Sequence, residues 1–165
     1  MGQKLHPFPR FTASVCHLRP ESRCTIHLRS ADPGQSPSIR VNYLSTDEDR
    51  RAVVDGLKFL RSIMQAPAML DYASEEIEPG PACASNQDLL AYCRAKGSTI
   101  YHPSGTCRMG VDPGAVVSPD LKVKGLSGLR VADGSIMPQL VSGNTNAAII
   151  MIGEKASDLI LGESL

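Results

Sequence analysis

Prolines and glycines cut this sequence into short runs, and that punctuation limits the fold more than any other feature. Twelve prolines and fourteen glycines are spread through 165 residues. Proline fixes φ and lacks a backbone donor, and glycine admits turns that other residues resist. The chain must therefore combine brief regular elements with many turns and much loop. Its length suits one domain with a core of its own. Pro7 and Pro9 keep residues 1–11 irregular. Thr12–Leu18 and Thr25–Ser30 are short and β-branched. A Pro-Glu-Ser turn signal lies between them in Leu18–Cys24, so the two runs predict a hairpin. In Ser38–Tyr43, Ile39, Val41 and Tyr43 alternate with Arg40 and Asn42, the period of a half-buried strand. Ala31–Pro37 connects them as a loop.

Three runs have helical spacing. Ser45-Thr46-Asp47-Glu48 reads as a capping box, with Glu three residues after Ser. Beyond it Val53, Leu57, Leu60 and Met64 share one face, with Met64 expected in the core, and Pro67 ends the helix. Ser85-Asn86-Gln87-Asp88 opens a second helix that turns Leu89, Leu90 and Cys93 inward and ends near Gly97. Ala115–Pro119 and Leu121–Val123 read as short extended pieces, and Gly128–Gly134 as a short strand ending in a polar turn. The last helix follows Val141–Asn146, with Ile149, Ile152, Ala156 and Ile160 inside and Gly162 beyond its end. The expected fold class is α+β: a small antiparallel sheet with helices, then a strand–loop–helix.

Composition excludes several functions. Seventeen basic and seventeen acidic residues cancel, which leaves no basic footprint for nucleic acid. The chain has no Trp and few aromatics on which bases could stack. Its first residues have no apolar signal-peptide core, and the longest apolar run, Ala147–Ile152, is too short for a membrane span. Five cysteines, an odd number without CxxC, read as free thiols in a reducing compartment, so a cytoplasmic location is expected. His17 and His27, with Cys16 and Cys24, match no closed zinc pattern, and no metal site is expected.

The chemistry concentrates in two places. YHPSGTCRMG, residues 101–110, fits neither helix nor strand period. Pro103 biases His102 toward extended backbone, and Gly105 permits a tight turn behind it. Imidazole exchanges protons near neutral pH, so a loop histidine held this way suits a general base. On local sequence alone a ring that only hydrogen-bonds a loop carbonyl is the slightly better reading. The second place is the start of the last helix, Asn144–Ala147, whose first N–H groups lack internal partners and favour negative charge. Gly143 would let another molecule approach, although Asn144 or Asn146 could simply cap the helix. Asp133, before Gly134, could cap a turn or accept ligand hydroxyls. No Gly-rich dinucleotide fingerprint or phosphate loop occurs.

Taken in order, LRPESRCTIHLRSADP, NYLSTDED, YHPSGTCRMG and LRVADGSIMPQLVSGNTNAAIIMIGEKASDLIL resemble the C-terminal part of the glucose–methanol–choline (GMC) family of FAD-dependent oxidoreductases. The likeness is nearest to its alcohol and choline dehydrogenase branch and runs from about residue 12 to 162. The resemblance implies hydride transfer from an alcohol to flavin, with His102 as acid/base and Asn144 binding the substrate oxygen. It implies contacts to FAD from Asp133, Gly134, Thr145, Asn146 and Ala147. It also implies a division into a substrate-domain part, residues 12–108, and a segment completing the FAD domain, residues 109–165. The fingerprint-bearing N-terminal portion is expected as a missing partner, and without it the chain is expected inactive and prone to self-association. The alternative is a non-catalytic binding or assembly domain. One local departure is Cys24, where the family usually has Gly, which is expected to reshape the hairpin.

Overall fold

The computed structural model describes residues 7–73 and 75–162. His6 and the first part of the irregular segment expected at 1–11 lie outside the described residues, and residues 7–11 carry no helix or strand. In chain order the elements are β1 (Thr25–His27), β2 (Ser38–Arg40), α1 (Asp47–Met64), α2 (Pro67–Leu70), α3 (Asn86–Lys96), a one-turn 3-10 helix (Gly134–Ile136) and α4 (Asn146–Leu161). β1 and β2 form an antiparallel pair with Thr25 opposite Arg40 and His27 opposite Ser38. The fold is α+β, as the sequence indicated.

The pairing differs from the expected hairpin. Thr12–Leu18 forms no strand. Val15 instead crosses α1 at Gly56, so close that a Cβ there would lie 2.8 Å from Val15 Cγ2. The intervening turn is tied within itself, by Arg23 Nη1 donating to Pro20 O at 2.8 Å. Cys24 is exposed just before β1 and is not among the residues with positive φ, so a side chain stands there without left-handed strain. The paired strands are three residues each, shorter than Thr25–Ser30 and Ser38–Tyr43.

The described residues fall into two compact units, one within residues 7–17 and 46–97, the other within residues 18–45 and 98–162. The first is helical. α1 begins one residue later than the capping box suggested: Thr46 is the N-cap, extended at φ −94°, and its hydroxyl accepts from Asp49 N–H. Asp49, only 2% exposed, places Oδ1 3.4 Å from His17 Nε2. The most buried apolar position of α1 is Val54, whereas Val53, Leu57, Leu60 and Met64 are half-buried. Met64 therefore does not reach the core. Pro67 does end α1, and it also starts α2, where its missing N–H costs nothing. α3 opens at Ser85 as expected, through a capping box with Asp88, and packs on α1 with Leu89 fully buried. Burying one such leucine contributes about 1.5–3 kcal/mol. Arg61 of α1 holds the connecting loop through Glu76 at 3.0 Å, Cys83 O at 2.8 Å and Gly80 O at 3.1 Å.

The second unit carries the larger core: Val117, Leu121, Ile136, Met137, Ile152 and Ala156, with Met109, Val123, Val131, Ala148 and Leu159 against it. The expected extended pieces meet as single bridges, Val117 with Val123 and Met109 with Val117. Gly128–Gly134 makes only the bridge between Arg130 and Lys122 before turning into the 3-10 helix, so no strand forms there. α4 ends on Gly162 in the left-handed conformation at φ 76°, as its sequence signalled. Its inner face runs through Ala148, Ile152, Ala156 and Leu159. Ile160 is 61% exposed and Ile149 rides over Gly134, so the buried stripe lies one position away from the one expected at both ends.

Candidate active site

The loop bearing His102 is built by backbone contacts with the 3-10 helix. Cys107 N–H donates to Ser135 O at 3.0 Å and Met109 N–H to Ile136 O at 2.7 Å. Gly105 sits at φ 84°, where a Cβ would also lie 3.2 Å from Met137 O, so glycine is required there. On the other side of His102, Tyr101 is left-handed at φ 62°, and its N–H donates to Thr99 Oγ1 at 3.0 Å. Non-glycine residues resist that conformation, and the surrounding contacts must hold it. The turn that aims His102 is thus fixed on both flanks.

The imidazole ring nitrogens each meet a side chain from the segment entering α4. His102 Nε2 lies 3.3 Å from Asn144 Oδ1, and Nδ1 lies 3.0 Å from Thr145 Oγ1. His102 is half-buried, Asn144 is exposed, and Thr145 is 4% exposed. An amide oxygen only accepts, so in the neutral ring this arrangement puts the proton on Nε2 and has the Thr145 hydroxyl donate to Nδ1. Thr145 is the N-cap of α4, yet its side chain makes no capping bond. Asn146 and Ala147, the first residues of the helix, are exposed.

Asp133 and Gly134 lie where the chain enters the 3-10 helix. The Asp133 carboxylate accepts from Ser135 N–H at 2.7 Å. Hydrogen bonds from the Ser135 hydroxyl, then its backbone N–H, hold that carboxyl below the usual aspartate range. A Cβ at Gly134 would lie 3.2 Å from Ile149 Cδ1, so glycine lets α4 pack closely here. The sequence paired His102 with Asn144 only through the family resemblance, and the structure brings the two side chains within 3.3 Å across 42 positions. It left unseen the Thr145 contact and the left-handed Tyr101, neither of which has a motif of its own. All five cysteines are free, and among the described residues no three potential metal ligands cluster.

Comparison with known proteins identifies the family of the chain. Residues 20–153 match the C-terminal family model described as GMC oxidoreductase. An alcohol dehydrogenase [acceptor] of Pseudomonas putida is 48% identical over 97% of this chain, and the match covers 29% of that protein. An oxygen-dependent choline dehydrogenase of Escherichia coli is 44% identical over 93% of this chain and 27% of its own length. Pyridoxine 4-oxidase from Mesorbium loti superposes with a TM-score of 0.84 at 32% identity, over 90% of this chain and 29% of that one. A fungal aryl-alcohol oxidase does so with a TM-score of 0.77 at 36% identity, over 88% and 24%. The chain belongs to the GMC oxidoreductase family and corresponds to its C-terminal part. It spans less than a third of the length of these curated relatives. Among the described residues no helix is long and apolar enough to cross a membrane.

Proposed function

We propose that this chain supplies the acid–base pair and one edge of the flavin site of an FAD-dependent enzyme that oxidises an alcohol. The observation that carries the reading is the 3.3 Å meeting of His102 and Asn144 in a chain whose relatives are named alcohol and choline dehydrogenases. In this reading residues 12–108 belong mainly to the substrate side and residues 109–165 complete the flavin domain.

The start of α4 fits a flavin. Thr145 gives it no side-chain cap, and the Asn144 amide is turned to His102, so the N–H groups of Asn146 and Ala147 face no capping side chain from either. Such groups, at the positive end of a helix, suit the electron-rich edge of an isoalloxazine. Asp133 and Gly134, with the Thr145–Ala147 backbone, would hold that end of FAD. Bound FAD supplies the hydride acceptor.

This chain's own residues handle the proton. An alcohol oxygen placed at the pair meets His102 Nε2 and the Asn144 amide. In its Nδ1–H form His102 takes the hydroxyl proton at Nε2, while Asn144, with its amide turned over, donates N–H to the same oxygen. Asn144 does not titrate, so its donation survives every protonation state of the histidine. Charge developing on the alcohol oxygen is met by the Asn144 N–H and by the protonated His102. The test is His102→Ala in the full-length enzyme carrying this segment. Flavin reduction by alcohol in the stopped flow should slow about 10²–10⁴-fold. A rate within about twofold of the parent would leave His102 a structural prop.

A further inference from the structure

The geometry points to Thr145 as the positioning residue of His102, acting through Nδ1; the assignment rests on the acid–base reading of that histidine. Three observations carry it. Thr145 Oγ1 lies 3.0 Å from Nδ1. The hydroxyl belongs to a residue only 4% exposed, so water does not readily replace it. And Thr145 occupies the N-cap of α4, where threonine ordinarily accepts from the helix's own N–H groups, yet it makes no such bond. Its backbone, at φ −81° and ψ −12°, is not the extended form in which capping occurs, whereas Thr46 and Ser85 are extended and do cap. The hydroxyl has been diverted from the helix to the histidine.

A hydroxyl suits this place because it both donates and accepts. When Nε2 carries the proton, Thr145 donates to Nδ1. When Nε2 must be free to take a substrate proton, Nδ1 carries the hydrogen and Thr145 accepts it. The same acceptor remains once Nε2 has been protonated and the ring is charged. One residue therefore keeps the ring plane fixed through every state of the proton transfer. Which ring nitrogen bears the proton is set by the partner of the other. Valine has the shape of threonine and neither capacity; serine keeps both.

The test uses Thr145→Val and Thr145→Ser, each followed by two measurements. The first is the pair of ring nitrogen resonances of His102 in the 165-residue chain labelled with 15N-histidine. The Nδ1 signal should move in Thr145→Val and return to its parent position in Thr145→Ser. The second is kcat and KM of the full-length enzyme. Thr145→Val should lower kcat about 3- to 10-fold, the worth of one hydrogen bond, with KM nearly unchanged, and Thr145→Ser should restore it. Should the valine variant not fold, Thr145→Ala takes its place in both measurements. Unmoved ring signals with parental kcat would overturn the inference while leaving His102 as the base. Moved ring signals with a fully active His102→Ala would confirm the contact and overturn the catalytic reading on which its role depends.

Discussion

A histidine becomes useful only when its backbone cannot wander, and here the constraint falls on single residues. Tyr101 is left-handed before His102 and Gly105 is left-handed after it. At Gly105 the constraint is double, since a methyl group would also press on Met137 O. Gly105→Ala should therefore lower stability by about 1–2 kcal/mol, the usual penalty for a side chain in left-handed backbone. Urea unfolding monitored by circular dichroism would measure it. A midpoint unchanged from the parent would mean the loop relaxes without cost. The same substitution should displace the ring signals of His102, because the turn is what aims them.

At the scale of elements, the sheet and the helices depend on different kinds of information. α3 was legible because its signals are local: Ser85 and Asp88 bond each other across one turn, and Gly97 stops the run. Ser85→Ala should cost about 0.5–2 kcal/mol and fray the first turn. Faster amide exchange at Asp88 and Leu89 would report it, and unchanged exchange would mean the helix is held by tertiary packing alone. Thr12–Leu18 reads as a strand because nothing local distinguishes one from an irregular segment whose Val15 packs at Gly56 of a distant helix. The α1 cap slipped by one residue for a related reason. Ser45 and Thr46 are both good caps, and the choice follows Asp49, which is buried and lies beside His17. His102 and Asn144 were each visible as candidates, and the family resemblance joined them. The diversion of Thr145 was not visible, since threonine before a helix normally signals a cap.

At the scale of the whole molecule, the outer side of α4 carries large apolar side chains that stand exposed. Ile150 and Met151 are 58% and 59% exposed, with Ile160 and Leu161 on the last turn. An apolar face of this kind favours association. The 165-residue chain should gain mass with concentration in sedimentation velocity, and Ile150→Glu with Met151→Glu should hold it monomeric. Equal sedimentation of both proteins would show the face is inert. The chain also carries no glycine-rich turn to cradle a pyrophosphate, so on its own it should purify without visible flavin colour. A yellow preparation with stoichiometric FAD would contradict that. His102, Asn144 and Thr145 all belong to one of the two compact units, and α1 with α3 belongs to the other. In the proposed reading this separates two inheritances. Substitutions confined to the α1–α3 unit then leave every contact within the proton-handling trio untouched, so one unit can drift in sequence while the other keeps its geometry.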